Sequence, residues 1–266
     1  MAVIAGVALL LVIGGTYGVA GYFSASNRIG NANHALEIAL AHRDAFDNAP
    51  SALELDAPDA KTMQADAGKF AQTWKEQAAT VQSDEQALAS AGSALLQQQW
   101  LTVVRRGSID SASARVDHAH KALDVARTIA DERVKEGQFE QALANAAADF
   151  DAVVGDFQAQ DVASAATAAN KMQTDANGAL GLASDTQFPS ELHDYVAAIQ
   201  VLAKDFVDFF GAIRQGDSSG AKSLLAKANV DVNTLGTFDL NGMGEKVDAY
   251  YQPLIDSYHS ELSKAQ

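Results

Sequence analysis

The sequence contains no cysteine, only four prolines, few aromatic residues and far fewer cations than anions. Without cysteine, the chain cannot form disulfide bridges, thiolate zinc sites or a cysteine nucleophile. Its 19 Lys and Arg stand against 34 Asp and Glu, giving a net charge of -15. Such a charge argues against a nucleic-acid partner, because phosphates require a basic surface. The length of 266 residues suits one large or two modest domains.

Sequence motifs for catalysis and cofactor binding are also missing. The chain has no P-loop, GxGxxG, GxSxG, HExxH or EF-hand pattern. His118 and His120 are two residues apart, so on a helix they point to different sides and cannot chelate one ion. Asp256 and His259 have the spacing of di-iron ligands but lack the second motif and the extra carboxylates of such sites. We therefore predict no enzyme activity, no catalytic residues, no metal and no cofactor.

The longest uncharged run lies at the amino end, where residues 2–23 contain no charged side chain. A helix of that length, at ~1.5 Å per residue, spans about 33 Å and matches the core of a bilayer. Tyr17, Tyr22 and Phe23 follow at its carboxyl end, where aromatic rings favour the lipid headgroups. We predict a transmembrane anchor over residues 1–24, which makes the protein a single-pass protein of the cell membrane.

A cleaved signal peptide is the rival interpretation, because Gly18, Val19 and Ala20 are small residues of the cleavage type. It would give a secreted protein, but the run exceeds the usual ~7–15 apolar residues and no Lys or Arg precedes it. Arg28 and Arg43 follow the run, and taken alone they would place the body in the cytoplasm. One amino-terminal span followed by a polar, cysteine-free body nevertheless leads us to predict an extracytoplasmic body.

Gly14 and Gly18 form a pair of small residues four positions apart within the apolar run. This spacing lets two helices approach closely in lipid, so it marks a candidate contact for a homodimer. Glycine is also frequent in membrane helices for other reasons.

The remainder of the sequence predicts an all-α fold. About one residue in five is Ala, the best helix former, and no stretch alternates β-branched with polar residues as strands do. Apolar residues recur every seven positions, as in coiled coils and long bundles, in two series: Trp74, Val81, Leu88 and Leu95, then Ile109, Val116, Leu123 and Ala130. A short turn between the series predicts antiparallel helices. Residues 25–136 are therefore assigned to a long, coiled-coil-like helical region.

The ends of these helices are less clearly marked. Ser83 and Gln86 have the spacing of a capping box, which would split the second helix. Arg105 and Arg106 are expected to end that helix, because cations complement the negative end of the helix dipole. Ser108 or Asp110 would then cap the third helix.

An internal repeat covers the carboxyl-terminal half. Residues 139–177 align with 195–233 without a gap, at an offset of 56, with ten identities: Ala142/Ala198, Ala147/Ala203, Asp149/Asp205, Phe150/Phe206, Gly155/Gly211, Asp161/Asp217, Ala165/Ala221, Lys171/Lys227, Asp175/Asp231 and Asn177/Asn233. We interpret 137–266 as a helical bundle built from a duplicated αα-hairpin. Asp161 and Asp217 are its predicted helix caps. Gly155 and Gly211, inside helices, predict close approach of a neighbouring helix or a ligand.

The scarce aromatic residues concentrate in two places, which we consider as candidates for a ligand pocket or for ordinary core packing: Phe206, Phe209 and Phe210 on one helix, and Tyr250, Tyr251 and Tyr258 on the last helix.

Two functions from different classes follow from these features. The first is a membrane-anchored, extracytoplasmic interaction or scaffold module that engages an unknown protein partner and the bilayer. The alternative is a ligand-sensing or solute-binding helical domain, anchored or secreted after signal cleavage. A cavity lined by aromatic residues and a charged group would favour the second, and an exposed apolar surface over a dense core would favour the first.

Overall fold

The computed structural model describes residues 2–50, 59–97, 105–185 and 188–266, without the side chains of residues 2–20 and 185. Within these ranges the chain forms eight helices and no strand: α1 (Ala2–Ala41), α2 (Arg43–Asp47), α3 (Ala60–Leu96), α4 (Arg106–Gln158), α5 (Val162–Asp185), α6 (Ser190–Gln215), α7 (Ser218–Leu235) and α8 (Leu240–Ala265). The predicted all-α fold is confirmed.

Three of the predicted helix ends are wrong. The α3 helix runs without a break across Ser83 and Gln86, so these residues do not form a capping box. The α4 helix already begins at Arg106, so the preceding helix does not end there and neither Ser108 nor Asp110 is its cap. The α4 helix then continues for 53 residues, because no proline interrupts this stretch.

The helices pack into two compact units. Unit 1 comprises Met1–Ala49, Glu76–Ile129 and Pro253–Gln266, and unit 2 comprises Pro50–Lys75 and Ala130–Gln252. The α3, α4 and α8 helices each contribute residues to both units. Each unit thus draws on separate stretches of chain, whereas the predicted domains 1–24, 25–136 and 137–266 are continuous ranges. Those ranges stay a prediction.

Unit 1 is organised by the heptad positions. Val81, Leu88 and Leu95 of α3 are buried, as are Val116 and Leu123 of α4. The apolar spacing therefore marks the inward face of each helix, as predicted. Cross-helix neighbours occur in antiparallel order: Arg127 Nη1 donates to Glu85 Oε2 at 3.0 Å, and Val116 lies against Gly92.

Unit 2 contains two helical hairpins. The last part of α4 and α5 form the first, and α6 and α7 form the second. Asp161 caps α5 by accepting a hydrogen bond from the Ser164 backbone N–H at 3.0 Å. Asp217 caps α7 in the same way, accepting from the Gly220 N–H at 2.9 Å. The two predicted caps are therefore present, and they occupy equivalent positions of the repeat.

The repeated glycines have a different environment from the one expected. No atom lies within 4 Å of where a Cβ would stand at Gly155 or Gly211, so the predicted close approach is wrong at both positions. Close approach occurs instead at Gly137, where a Cβ would lie 2.8 Å from the Cβ of Ala71 and 2.9 Å from its backbone. Only glycine lets α4 and α3 come this near to each other in unit 2.

Among the residues whose side chains are described, no helix is long and apolar enough to span a membrane. Most of the predicted anchor, residues 1–24, lies outside that set, because the side chains of residues 2–20 are not described. The anchor is thus not supported by the structure and stays a prediction.

Candidate functional site

Unit 2 contains a cavity of about 370 Å³. Residues from all four hairpin helices line it, and the rest come from the first turns of α3 and α8 and from Asp59, which immediately precedes α3. Its walls are mostly apolar: Asp59, Ala60, Met63, Leu143, Ala146, Ala147, Phe150, Met172, Tyr195, Ile199, Leu202, Val232, Leu235 and Leu240. A concave, apolar space of this size with few polar groups is the usual form of a small-molecule site.

The internal repeat explains how the cavity is built. Leu143 of α4 and Ile199 of α6 are equivalent at the offset of 56, and both line it. Ala146 and Leu202 are also equivalent lining residues, but they differ greatly in size. The small Ala146 side chain leaves unfilled the space that a second leucine would occupy, so the difference between the repeats creates part of the volume.

Two of the described lining residues, Asp59 and Tyr195, carry a polar side-chain group. The ring of Tyr195 packs edge-on against Phe238 at a centroid distance of 5.3 Å, and burial raises the pKa of its hydroxyl. Across the described ranges, no hydrogen bond is found for that hydroxyl. Asp59 lies at the exposed rim, where its oxygens accept from the Thr62 N–H at 2.8 Å and the Thr62 hydroxyl at 2.9 Å.

These two bonds to Thr62 hold the pKa of Asp59 below its ordinary value. The rim therefore carries a fixed negative charge at neutral pH. Among the described lining residues, Asp59 and Tyr195 are the ones with an ionisable side chain.

The predicted phenylalanine cluster lies elsewhere in unit 2. Phe206, Phe209 and Phe210 are all buried in its hydrophobic core, and none of them lines the cavity. Phe157 packs on Phe209 and Phe210 with ring centroids 5.4 and 6.0 Å away. These three residues therefore fill the core, while Phe150 and Tyr195 supply the cavity's aromatic surface.

The predicted tyrosines are also absent from the cavity lining. Tyr250 and Tyr251 belong to unit 2, with their ring centroids 5.2 Å apart. Tyr258 is part of unit 1, where it packs on Phe46 at 5.0 Å. Burial raises the pKa of both Tyr251 and Tyr258 well above the ordinary range.

Tyr251 belongs to a buried charged cluster. The guanidinium of Arg133 lies 3.7 Å from the centre of its ring. Arg133 Nη1 donates to both carboxylate oxygens of Glu136 at 2.9 Å, and Asp248 lies 3.6 Å from Nη2. Because Glu136 is fully buried, desolvation raises its pKa to about 7, against the opposing effect of Arg133.

A pair of carboxyl groups beside a lysine occurs in each hairpin. Lys227 Nζ donates to Asp205 Oδ1 at 2.8 Å, and the carboxyl groups of Asp205 and Asp231 interact directly. The equivalent residues, Asp149, Asp175 and Lys171, interact in the first hairpin. Burial, followed by the neighbouring carboxyl group, raises the pKa of Asp231 and of Asp149. The repeat thus preserves a charge arrangement as well as residue identities.

His118, His120 and His259 each lie close to one carboxylate. His118 Nδ1 lies 2.7 Å from Glu261 Oε2, and His120 Nδ1 lies 3.4 Å from Asp124. His259 Nε2 is 3.6 Å from Asp47 rather than chelating with Asp256. In the described part of the chain, no three His, Asp or Glu side chains are grouped so as to hold a metal ion.

Gly14 and Gly18, the candidate helix contact, fall within residues 2–20, whose packing is not described. The predicted contact therefore lies outside the described residues.

Comparisons with protein-family models, with curated proteins and with solved structures find nothing that matches this chain. The site must therefore be interpreted from its own geometry. Sequence reasoning missed Asp59, Ala146 and Tyr195 as lining residues. The difference between Ala146 and Leu202 at equivalent positions of the repeat was the one signal that could have indicated a space.

Proposed function

We propose that this protein is a binding protein without catalytic activity, and that unit 2 holds a small apolar molecule in its cavity. The observation that carries the proposal is the cavity of about 370 Å³, which has apolar walls and a tyrosine hydroxyl for which no partner is found among the described residues. Protein sites for small molecules usually measure ~300–1,000 Å³ and combine apolar walls with a few placed polar groups. These features favour the ligand-binding interpretation of the sequence over a purely structural module.

Methionine NMR provides a test that localises the ligand. The chain contains four methionines; Met63 and Met172 line the cavity, whereas Met243 is buried outside its lining. We expect naphthalene-2-carboxamide, added to the full chain labelled with ¹³C-methyl methionine, to shift the Met63 and Met172 signals in a saturable manner and to leave Met243 unchanged. Equal shifts at all methionines, or no shift, would contradict the proposal.

Two alanine-to-leucine variants, one that fills the cavity and one that does not, show whether the NMR shifts depend on the cavity. Ala146→Leu places the side chain of its repeat equivalent into the space, so it should abolish the saturable shifts. Ala148→Leu, on the exposed side of the same helix and outside the lining, should leave them intact. Loss of binding in both variants would mean that a general change in α4, and not occupation of the cavity, explains the effect.

We further infer that the start of α1 anchors the protein in the cell membrane, with the helical body extracytoplasmic. The support is the run of 22 residues without charge. We expect the protein to stay in membranes that are washed with carbonate. We also expect protease added to intact cells to digest the helical body. A chain released after trimming near Ala20 would contradict the anchor, and a protected body would contradict the orientation. Gly14 and Gly18 remain the candidate contact for a homodimer.

We also infer that the two hairpins of unit 2 arose by duplication of one ancestral hairpin. Three features support this inference: the ten identities at the offset of 56, the equivalent helix caps, and the equivalent groups of two Asp and one Lys. The cavity then lies where the first helices of the two copies face each other.

A second candidate function is an interaction module for a protein partner. It is favoured by the exposed apolar side chains of α7, Leu225, Val230 and Val232, of which Val230 is 61% exposed. A pull-down from detergent-solubilised membranes should then recover one stoichiometric protein with the native chain and not with Val230→Asp. Recovery of the bait alone with both chains would eliminate this candidate.

A further inference from the structure

We propose that the cavity of unit 2 selects an uncharged ligand, an apolar molecule that ends in a neutral hydrogen-bonding group such as an amide or a hydroxyl. This inference rests on the proposed function, because it specifies the ligand class of the same site. It separates the site from those for fatty acids and other apolar anions, which share the apolar body but carry a charged end.

The charges of the lining disfavour an anion. None of the described lining residues is Lys, Arg or His, and the one charged side chain among those described is the carboxylate of Asp59. An anion that entered this space would lose its hydration without gaining an opposite charge, which is costly. The carboxylate at the rim would repel it as well. A ligand with a carboxylate or phosphate end therefore does not fit.

The same carboxylate is a poor partner for a cation. Both oxygens of Asp59 already accept hydrogen bonds from Thr62, and the residue is exposed to solvent. Attraction between exposed charges is weak because water screens it. A cationic group would thus remain at the rim in water, and the enclosed part of the cavity would still require a neutral group.

Tyr195 supplies the polar contact that a neutral group needs. Its ring is held edge-on against Phe238, and the residue lines the cavity. A hydroxyl both donates and accepts hydrogen bonds, and no partner for it is found among the described residues. An amide or hydroxyl of the ligand can form a hydrogen bond with this group, whereas a plain hydrocarbon offers it no partner. The remaining walls, with Leu143, Ile199 and Leu202, accept only apolar surface.

Two isosteric probes test the selection directly. Naphthalene-2-carboxamide and naphthalene-2-carboxylate have the same shape and differ in charge at neutral pH. With the Met63 and Met172 signals of the full chain as the readout, we expect the carboxamide to bind about 10-fold more tightly or better, because the carboxylate must be buried without a cation. Equal or tighter binding of the carboxylate at these methionines would overturn the inference.

Removal of the tyrosine hydroxyl tests its role. Tyr195→Phe keeps the ring against Phe238, so the fold is retained. We expect it to weaken the carboxamide by about 2- to 10-fold, as loss of one hydrogen bond does, and to leave unsubstituted naphthalene unchanged. An equal loss for both probes would show that Tyr195 acts through its shape, and would overturn its assignment as the polar contact.

The outcomes distinguish this inference from the proposed function. If the carboxylate binds at Met63 and Met172 as well as the carboxamide does, the ligand class is wrong but the cavity still binds small molecules. If none of the three probes moves these two signals, the proposed function fails along with the inference.

Discussion

The rings of Phe150 and Phe206, which occupy equivalent positions in the two hairpins of unit 2, pack against each other with their centroids 5.9 Å apart. Each ring follows an aspartate of the carboxyl pairs, Asp149 and Asp205. The same short sequence therefore places an aromatic ring at the contact between the repeats and a carboxyl group against the second helix of each hairpin. A duplicated unit can use one sequence pattern twice in this way.

This contact should be measurable as a coupling energy. In a double-mutant cycle with Phe150→Leu and Phe206→Leu, we expect the two rings to couple by about 0.5–1.5 kcal/mol, the range for aromatic pairs beyond their buried area. Urea unfolding gives the four free energies. As a control, the cycle of Phe150→Leu with Val230→Ala, an exposed residue of α7, should give a coupling near zero. Additivity of the two leucine substitutions would refute a direct contact.

Glycine substitutions in unit 2 should have opposite effects on stability. Gly137→Ala would force a Cβ to within 2.8 Å of Ala71, so we expect it to lower the free energy of unfolding by about 1–3 kcal/mol. Gly211→Ala meets no atom within 4 Å, so it should raise that free energy by up to about 1 kcal/mol through helix propensity. The same sign for both variants in urea unfolding would contradict the packing described for α3 and α4.

The carboxyl pair of the second hairpin predicts a stabilising substitution. The pKa of Asp231 is raised, so its folded state favours the protonated form, and this stabilisation is lost as the pH rises through the folded pKa. Asp231→Asn replaces one of the two neighbouring carboxyl groups with a neutral amide. It should therefore stabilise the protein at pH 7.5 and have little effect near pH 4. Asp151→Asn, at an exposed position, is the control and should change neither value. A loss of stability at pH 7.5 would contradict the unfavourable effect of burial and of Asp205 on the ionised Asp231 carboxyl group.

The buried Glu136 predicts a pH dependence of the same sign. Its folded pKa of about 7 lies above the value of the unfolded chain, so the folded protein binds the proton more tightly. The free energy of unfolding should consequently fall as the pH rises between about 5 and 8. Glu136→Gln should reduce this slope without removing it, since Asp149 and Asp231 contribute with the same sign. Calorimetric or urea data showing an unchanged slope would contradict the effect of burial.

The sequence predicted the helices better than their ends or the site. Heptad spacing placed Val81, Leu88, Val116 and Leu123 correctly in the core, because a seven-residue apolar period fixes one face of a helix regardless of its partner. Helix ends were harder to predict. The charges of Arg105 and Arg106 are favourable at the end of a helix, but nothing in the local sequence prevents α4 from beginning there.

The cavity could not be predicted because it depends on how completely the side-chain volumes fill the space between the helices. Aromatic residues were the obvious candidates for a pocket, but Phe206, Phe209 and Phe210 are large enough to fill the core themselves. Unfilled volume remains where the neighbours of a small side chain cannot move in to occupy the space beside it, as at Ala146 among larger apolar residues. Tyr195 became a candidate only when the packing placed it among the residues that line that space.

Native mass spectrometry of the full chain, purified from its own cells, tests most directly whether the cavity of unit 2 holds a small molecule. We expect the native chain and Ala148→Leu to carry the same noncovalent small-molecule mass, and Ala146→Leu to lack it. A bound mass that Ala146→Leu retains, or the bare polypeptide mass for all three chains, would show that the cavity holds no such molecule.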